Sequence, residues 1–92
     1  ITAQSPNIIT GLTVDNREKL ISDVIVEIAD QHNLPVRAVK SNQLSQFFIA
    51  SPLKNGRYII KAQHPYFNFD KIDIEAKGEI IPPIKIVGSP KQ

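Results

Sequence analysis

With 92 residues the chain has room for one domain, and a domain of this size buries only about 60 to 65% of the surface its unfolded form exposes, so its core has to be compact and continuous. Hydrophobic residues make up 41% and charged residues 22%, with seven Pro, four Gly and no Cys, Met or Trp, which excludes a disordered segment, a disulfide scaffold and a thiolate metal site. The formal net charge is +2, but the eleven Lys and Arg are interleaved with nine acids, the pattern of an ordinary solvated surface rather than of a nucleic-acid-binding stripe.

The opening ITAQSPN has neither the charged nor the apolar block of a signal peptide, and no apolar run approaches the ~18 residues needed to span a bilayer. The polar, Pro-containing stretches 1–6 and 88–92 read as linkers around a domain at 7–87. Asn7 to Val14 (NIITGLTV) is β-branched and apolar and predicts a first strand, with Gly11 marking a bend or the close approach of another backbone. The polar run Asp15 to Lys19 is a loop. Asp23 to Ala29 (DVIVEIA) alternates, with Val24, Val26 and Ile28 facing the core and Ile25 exposed. The turn formers Asp30 to Asn33 then lead through Leu34-Pro35 into Val36 to Lys40, which predicts a hairpin.

Gln46 to Ala50 (QFFIA) is a short aromatic strand. After the loop Ser51 to Gly56, whose Asn55-Gly56 pair tolerates positive φ, Arg57 to Gln63 sets Tyr58, Ile60 and Ala62 on the core side. Phe69 to Ala76 carries Ile72, Ile74 and Ala76 opposite Lys71, Asp73 and Glu75. Beyond the turn at Lys77-Gly78, Ile80 to Val87 (IIPPIKIV) predicts a last strand. Its Pro82 and Pro83 cannot donate to a ladder, which places that strand, or its first half, at a sheet edge. Short strands at this spacing, with turn signals between them and no helical period, predict an all-β, seven-stranded antiparallel sandwich.

The order of these features resembles the carboxypeptidase regulatory-like domain, a module of the transthyretin-like (prealbumin-like) group, over nearly the whole chain from Ile9 to Ile86. Such domains begin with an apolar residue, a gap and Gly (here Ile9 and Gly11), then an Asp before a turn (Asp15). They continue with Thr-Asp, two residues, Gly, one residue and Phe, where this chain has Ser41, Asn42, Ser45 and Phe47. A loop ending in Gly-x-Tyr follows (Gly56, Tyr58), and then a Gly-Tyr turn (Pro65-Tyr66). Glu18, Asp23, Ser45 and Pro65 stand where the family usually has Gly. The resemblance implies a Greek-key, immunoglobulin-like sandwich with Gly11, Asn42, Phe47, Gly56 and Tyr58 as its structural signature. The run from Val24 to Tyr58 also looks like sandwich modules that follow membrane-spanning segments in components of type IV secretion-like systems, which implies a soluble attachment on a membrane-anchored parent.

No catalytic set emerges from the residues. His32 and His64 fall in different turns with no third ligand at metal spacing, and the serines have no Gly-x-Ser-x-Gly elbow, so hydroxyls serving turns is the simpler reading. His64 is not in the His-x-x-Glu arrangement of a metallocarboxypeptidase, the C-terminal VGSPKQ lacks the Tyr-Arg-Gly-Ser of the related hydroxyisourate hydrolase, and the Lys and Glu of a pilin-type isopeptide cross-link are missing. The expectation is a non-enzyme with no cofactor or metal and no nucleic-acid partner. It would be a structural or protein-interaction module in an envelope-associated, cell-surface or secreted protein, with protein partners or neighbouring domains of its own chain. The alternative is a glycan- or peptide-binding module. Tyr66, Phe67 and Phe69 are the candidate patch, because three aromatics within four residues beside a turn cannot all point inward from a strand.

Overall fold

The structure, a computed structural model, describes residues 7–49 and 52–91. Ala50, Ser51 and the segment 1–6 lie outside the described residues, so the expectations for the first linker and for the end of the fourth strand are not addressed. The strands are β1 (Ile9–Asp15), β2 (Ile25–Asp30), β3 (Pro35–Lys40), β4 (Gln46–Ile49), β5 (Gly56–Gln63), β6 (Phe67–Phe69), β7 (Ile72–Ala76) and β8 (Ile84–Pro90). Two four-stranded sheets form, in the orders β4-β1-β8-β6 (sheet A) and β3-β2-β5-β7 (sheet B).

Three features depart from the sequence reading. There are eight strands among the described residues, because Phe67–Phe69 joins sheet A and Ile72–Ala76 joins sheet B, with Asp70-Lys71 carrying the chain across. The strands are not all antiparallel: β1 and β8 run parallel, paired from Gly11↔Ile84 to Asp15↔Gly88. The last strand is also not an edge. It starts at Ile84, after both prolines, so the missing N–H groups fall outside the ladder and β8 can lie between β1 and β6.

The inward faces follow the period-two pattern. Ile9, Val24, Val26, Ile28, Phe47, Ile49, Leu53, Tyr58, Ile60, Ala76 and Ile86 form one buried cluster, with Ile72, Ile74, Phe67 and Phe69 packed against it. Gly11 marks a close approach of another backbone: a Cβ there would lie 1.9 Å from the Ile84 carbonyl oxygen and 2.7 Å from Phe47 Cζ. Tyr58 is buried as its alternation requires, and its hydroxyl donates to the Lys54 carbonyl oxygen at 2.6 Å, closing the loop before β5.

Three loops use one device. In 15–19, 30–34 and 42–46 an Asx residue opens the loop and its Oδ1 accepts two backbone N–H groups, two and four residues on. For Asp15 the donors are Arg17 and Lys19 (2.8 and 2.9 Å), for Asp30 His32 and Leu34 (both 2.9 Å), and for Asn42 Leu44 and Gln46 (2.9 and 3.0 Å). The fourth residue donates its N–H to the carbonyl of the first and is left-handed: Glu18 (φ 63°), Asn33 (64°) and Ser45 (62°). This is a tight turn closed by a left-handed bulge residue, the arrangement typical of three-residue hairpin loops.

Candidate functional site

The strand β5 ends at Gln63, and His64-Pro65-Tyr66 reverses the chain into β6 through an isolated antiparallel bridge between His64 and Phe67. Pro65 suits the turn because its fixed φ presets the bend. The Tyr66 N–H donates to His64 Nδ1 at 3.1 Å, so the proton of the neutral ring sits on Nε2. The His64 ring stands 5.8 Å from the Tyr66 ring, tilted by 56°, and 5.3 Å from the Phe67 ring, edge on. The Lys91 N–H donates to the Tyr66 carbonyl at 2.9 Å, fastening the far end of the chain to the turn.

The three candidate aromatics separate. Tyr66 is 73% exposed, whereas Phe67 and Phe69, two residues apart on one side of β6, are half-buried against the core, and Asn68 points outward between them. Phe69 lies over Gly88, its cross-strand partner, where an added Cβ would come within 2.6 Å of the ring. Beside the turn runs an open groove of about 530 Å³, with Phe67 and Phe69 among its apolar lining, Ile25 and Ala62 from sheet B, and Asp23 and Lys91 as charged groups. That volume accommodates a side chain or a short peptide. Of the signature residues, Gly11 and Phe47 meet in the core, Asn42 opens its loop, Gly56 has φ 152° at the start of β5, and Tyr58 is inside.

Two buried hydroxyls, those of Ser41 and Thr13, are occupied by the backbone. Ser41 Oγ accepts the Val24 N–H at 2.9 Å, and Thr13 Oγ1 donates to the Ile21 carbonyl at 2.6 Å. Ser45 Oγ is buried with no hydrogen-bond partner among the described residues. His32 sits on the exposed loop between β2 and β3, apart from the His64 turn, and among the described residues no group of three or more His, Cys, Asp or Glu side chains is placed to hold a metal ion. The Asp15 carboxyl is held below its ordinary value, first by the Lys19 N–H bond, against an opposing desolvation, and further by the Arg17 N–H and the charges of Lys19 and Arg17.

Asn7 is a polar centre that the sequence reading took for a strand residue. It is buried in left-handed geometry (φ 61°), and its Nδ2 donates to the Leu53 carbonyl and to Asn55 Oδ1, both at 2.8 Å. Its Oδ1 accepts the Gly78 N–H at 2.9 Å, its N–H donates to the Glu79 carbonyl at 3.1 Å, and its carbonyl accepts the Leu53 N–H at 2.9 Å. One side chain thus fastens the entry to β1, the loop before β5 and the loop after β7. The only local signal for it is the Pro-Asn break. No helix among the described residues is long and apolar enough to cross a membrane. A scan against protein-family models finds no match to this chain, and a search of curated proteins finds no match either.

Proposed function

We propose that this chain is a non-catalytic β-sandwich module of the carboxypeptidase regulatory-like, transthyretin-like kind, with Greek-key connections. In this reading it serves a structural or protein-interaction role within an envelope-associated or secreted protein. The observation that carries the reading is backbone conformation. Glu18, Asp23 and Ser45, three of the four residues standing where such domains usually carry Gly, all have φ between 60° and 63°. A position that keeps the left-handed conformation after losing the glycine is a position whose turn the fold requires. The close backbone contact at Gly11 and the burial of Phe47 and Tyr58 support the same reading, as does the occupation of Ser41 and Thr13 hydroxyls by backbone groups.

The exposed Tyr66 beside the aromatic-lined groove favours a second reading, a module that binds a peptide or glycan at the turn. Replacing Tyr66 and Phe69 with Ala, one at a time, separates the two. Binding at the turn requires Tyr66→Ala to abolish capture of a peptide or glycan library member while leaving the melting temperature unchanged. If Phe69→Ala lowers stability and Tyr66→Ala alters neither stability nor any captured ligand, the turn is structural and the first reading stands.

A further inference from the structure

The loop before β5 ends in Asn55-Gly56, and the fold holds each residue of that pair for a reason of its own. Gly56 has φ 152°, a conformation that residues with a side chain rarely adopt, so the position calls for Gly. Asn55 is the amide partner of the buried Asn7, whose Nδ2 donates to its Oδ1 at 2.8 Å. The same two residues form a chemically labile pair. The main-chain nitrogen of Gly56 is tethered beside the Asn55 side-chain carbonyl, and without a Cβ on its own residue it approaches that carbon with the least hindrance. Of the six Asn in the chain, only Asn55 precedes Gly; the others precede Ile, Arg, Leu, Gln and Phe. Asn55 and Gly56 are both exposed, and nothing lies within 4 Å of the place a Gly56 Cβ would take, so water reaches the pair and a ring has room to close.

We propose that Asn55-Gly56 is a self-modification site of the folded chain, converting to aspartyl and isoaspartyl forms with water as the co-reactant, and that the isoaspartyl form releases the tie at Asn7. The inference goes beyond the module reading and does not depend on it. The Gly56 nitrogen loses its proton and bonds to Asn55 Cγ. The Cγ–Nδ2 bond breaks, and Nδ2 departs with that proton as ammonia, leaving a cyclic imide. The Asn7 donor sits on the oxygen that gathers negative charge during the attack. Water then opens the ring, and nothing is oxidised or reduced. Opening at Cγ restores the ordinary main chain with a side-chain carboxylate, which still accepts the Asn7 bond. Opening at the main-chain carbonyl leaves the chain running through the former side chain, longer by a methylene, with the carboxylate displaced. Asn7 fastens the entry to β1, the loop before β5 and the loop after β7, so the longer chain pulls one of the three away from the others.

Prolonged incubation of the folded chain at mildly alkaline pH, with peptide mapping by mass spectrometry at intervals, tests the site. The expected result is exchange of NH2 for OH at Asn55 ahead of Asn16, Asn33, Asn42 and Asn68, with release of ammonia. Methyl uptake catalysed by an isoaspartyl methyltransferase should identify the longer chain. The isoaspartyl form, once separated, is compared with the variant Asn55→Asp, which carries the same charge on an ordinary main chain. The isoaspartyl form should melt at a lower temperature than that variant. A folded chain in which Asn55 stays intact while the urea-unfolded chain converts there overturns the proposal, as does exchange at another Asn first. An isoaspartyl form that melts together with Asn55→Asp overturns the release at Asn7. Each of these failures leaves the Tyr66 and Phe69 experiment, and the module reading it tests, standing on its own.

Discussion

Ser45 carries two costs at once. Its left-handed backbone, at φ 62°, costs a residue with a Cβ roughly 1 to 2 kcal/mol relative to Gly. Its buried hydroxyl, without a partner among the described residues, costs about 1 to 3 kcal/mol of lost hydration. Ser45→Gly should therefore be more stable than the parent by about 1 to 3 kcal/mol in urea unfolding, after allowance for the small void it leaves. Ser45→Ala, which sheds only the hydroxyl, should recover less. A loss of stability in both variants would mean that the Oγ contributes packing worth more than its hydration. At this scale the sequence was informative wherever a residue acts through its own neighbours: Asn42 and Ser45 turn the chain, and Tyr58, set by alternation, goes inside. It was silent on Asn7, whose partners Leu53, Asn55, Gly78 and Glu79 lie far along the chain, and on Lys54, whose carbonyl receives the Tyr58 hydroxyl.

At the scale of the element, loops 15–19 and 42–46 share one hydrogen-bond pattern but differ in whether its acceptor titrates. The folded state holds the Asp15 carboxyl below its ordinary value, chiefly through the Lys19 N–H. The stabilisation is thus present above the unfolded-state pKa, near 3.9, and is lost as pH falls through the lower folded value. Asn42 accepts the same two bonds at any pH. In an acid titration followed by NMR, the amide signals of Arg17 and Lys19 should move while those of Leu44 and Gln46 stay. Asp15→Asn should abolish the movement and keep the loop; titration of the Leu44 and Gln46 signals as well would assign the change to the fold as a whole. Among the strands, alternation identified the inward faces of β2, β5 and β7, because half-burial writes a period of two directly into the chain. The split between β6 and β7 was also written there: Phe69 to Ile72 is a step of three, which breaks that period where the chain changes sheets.

At the scale of the molecule, which strand lies beside which was not legible. Pairing across the full length of the chain leaves no local pattern, and the prolines before β8 suggested an edge that the strand avoids by starting after them. The parallel register from Gly11↔Ile84 to Asp15↔Gly88 joins β1 to β8, the first and last strands among the described residues. Tension applied at the two chain ends therefore draws β1 and β8 past one another along their length, so the ladder bonds carry the load together instead of parting in turn. Single-molecule pulling from the chain ends should need a higher force than pulling between attachments at Lys40 and Gln63, which share one row across β3, β2 and β5 and open the sheet laterally. Equal forces would show that the terminal ladder bears no special load. A higher one would make this sandwich a mechanical link, able to pass tension between whatever it joins without coming undone.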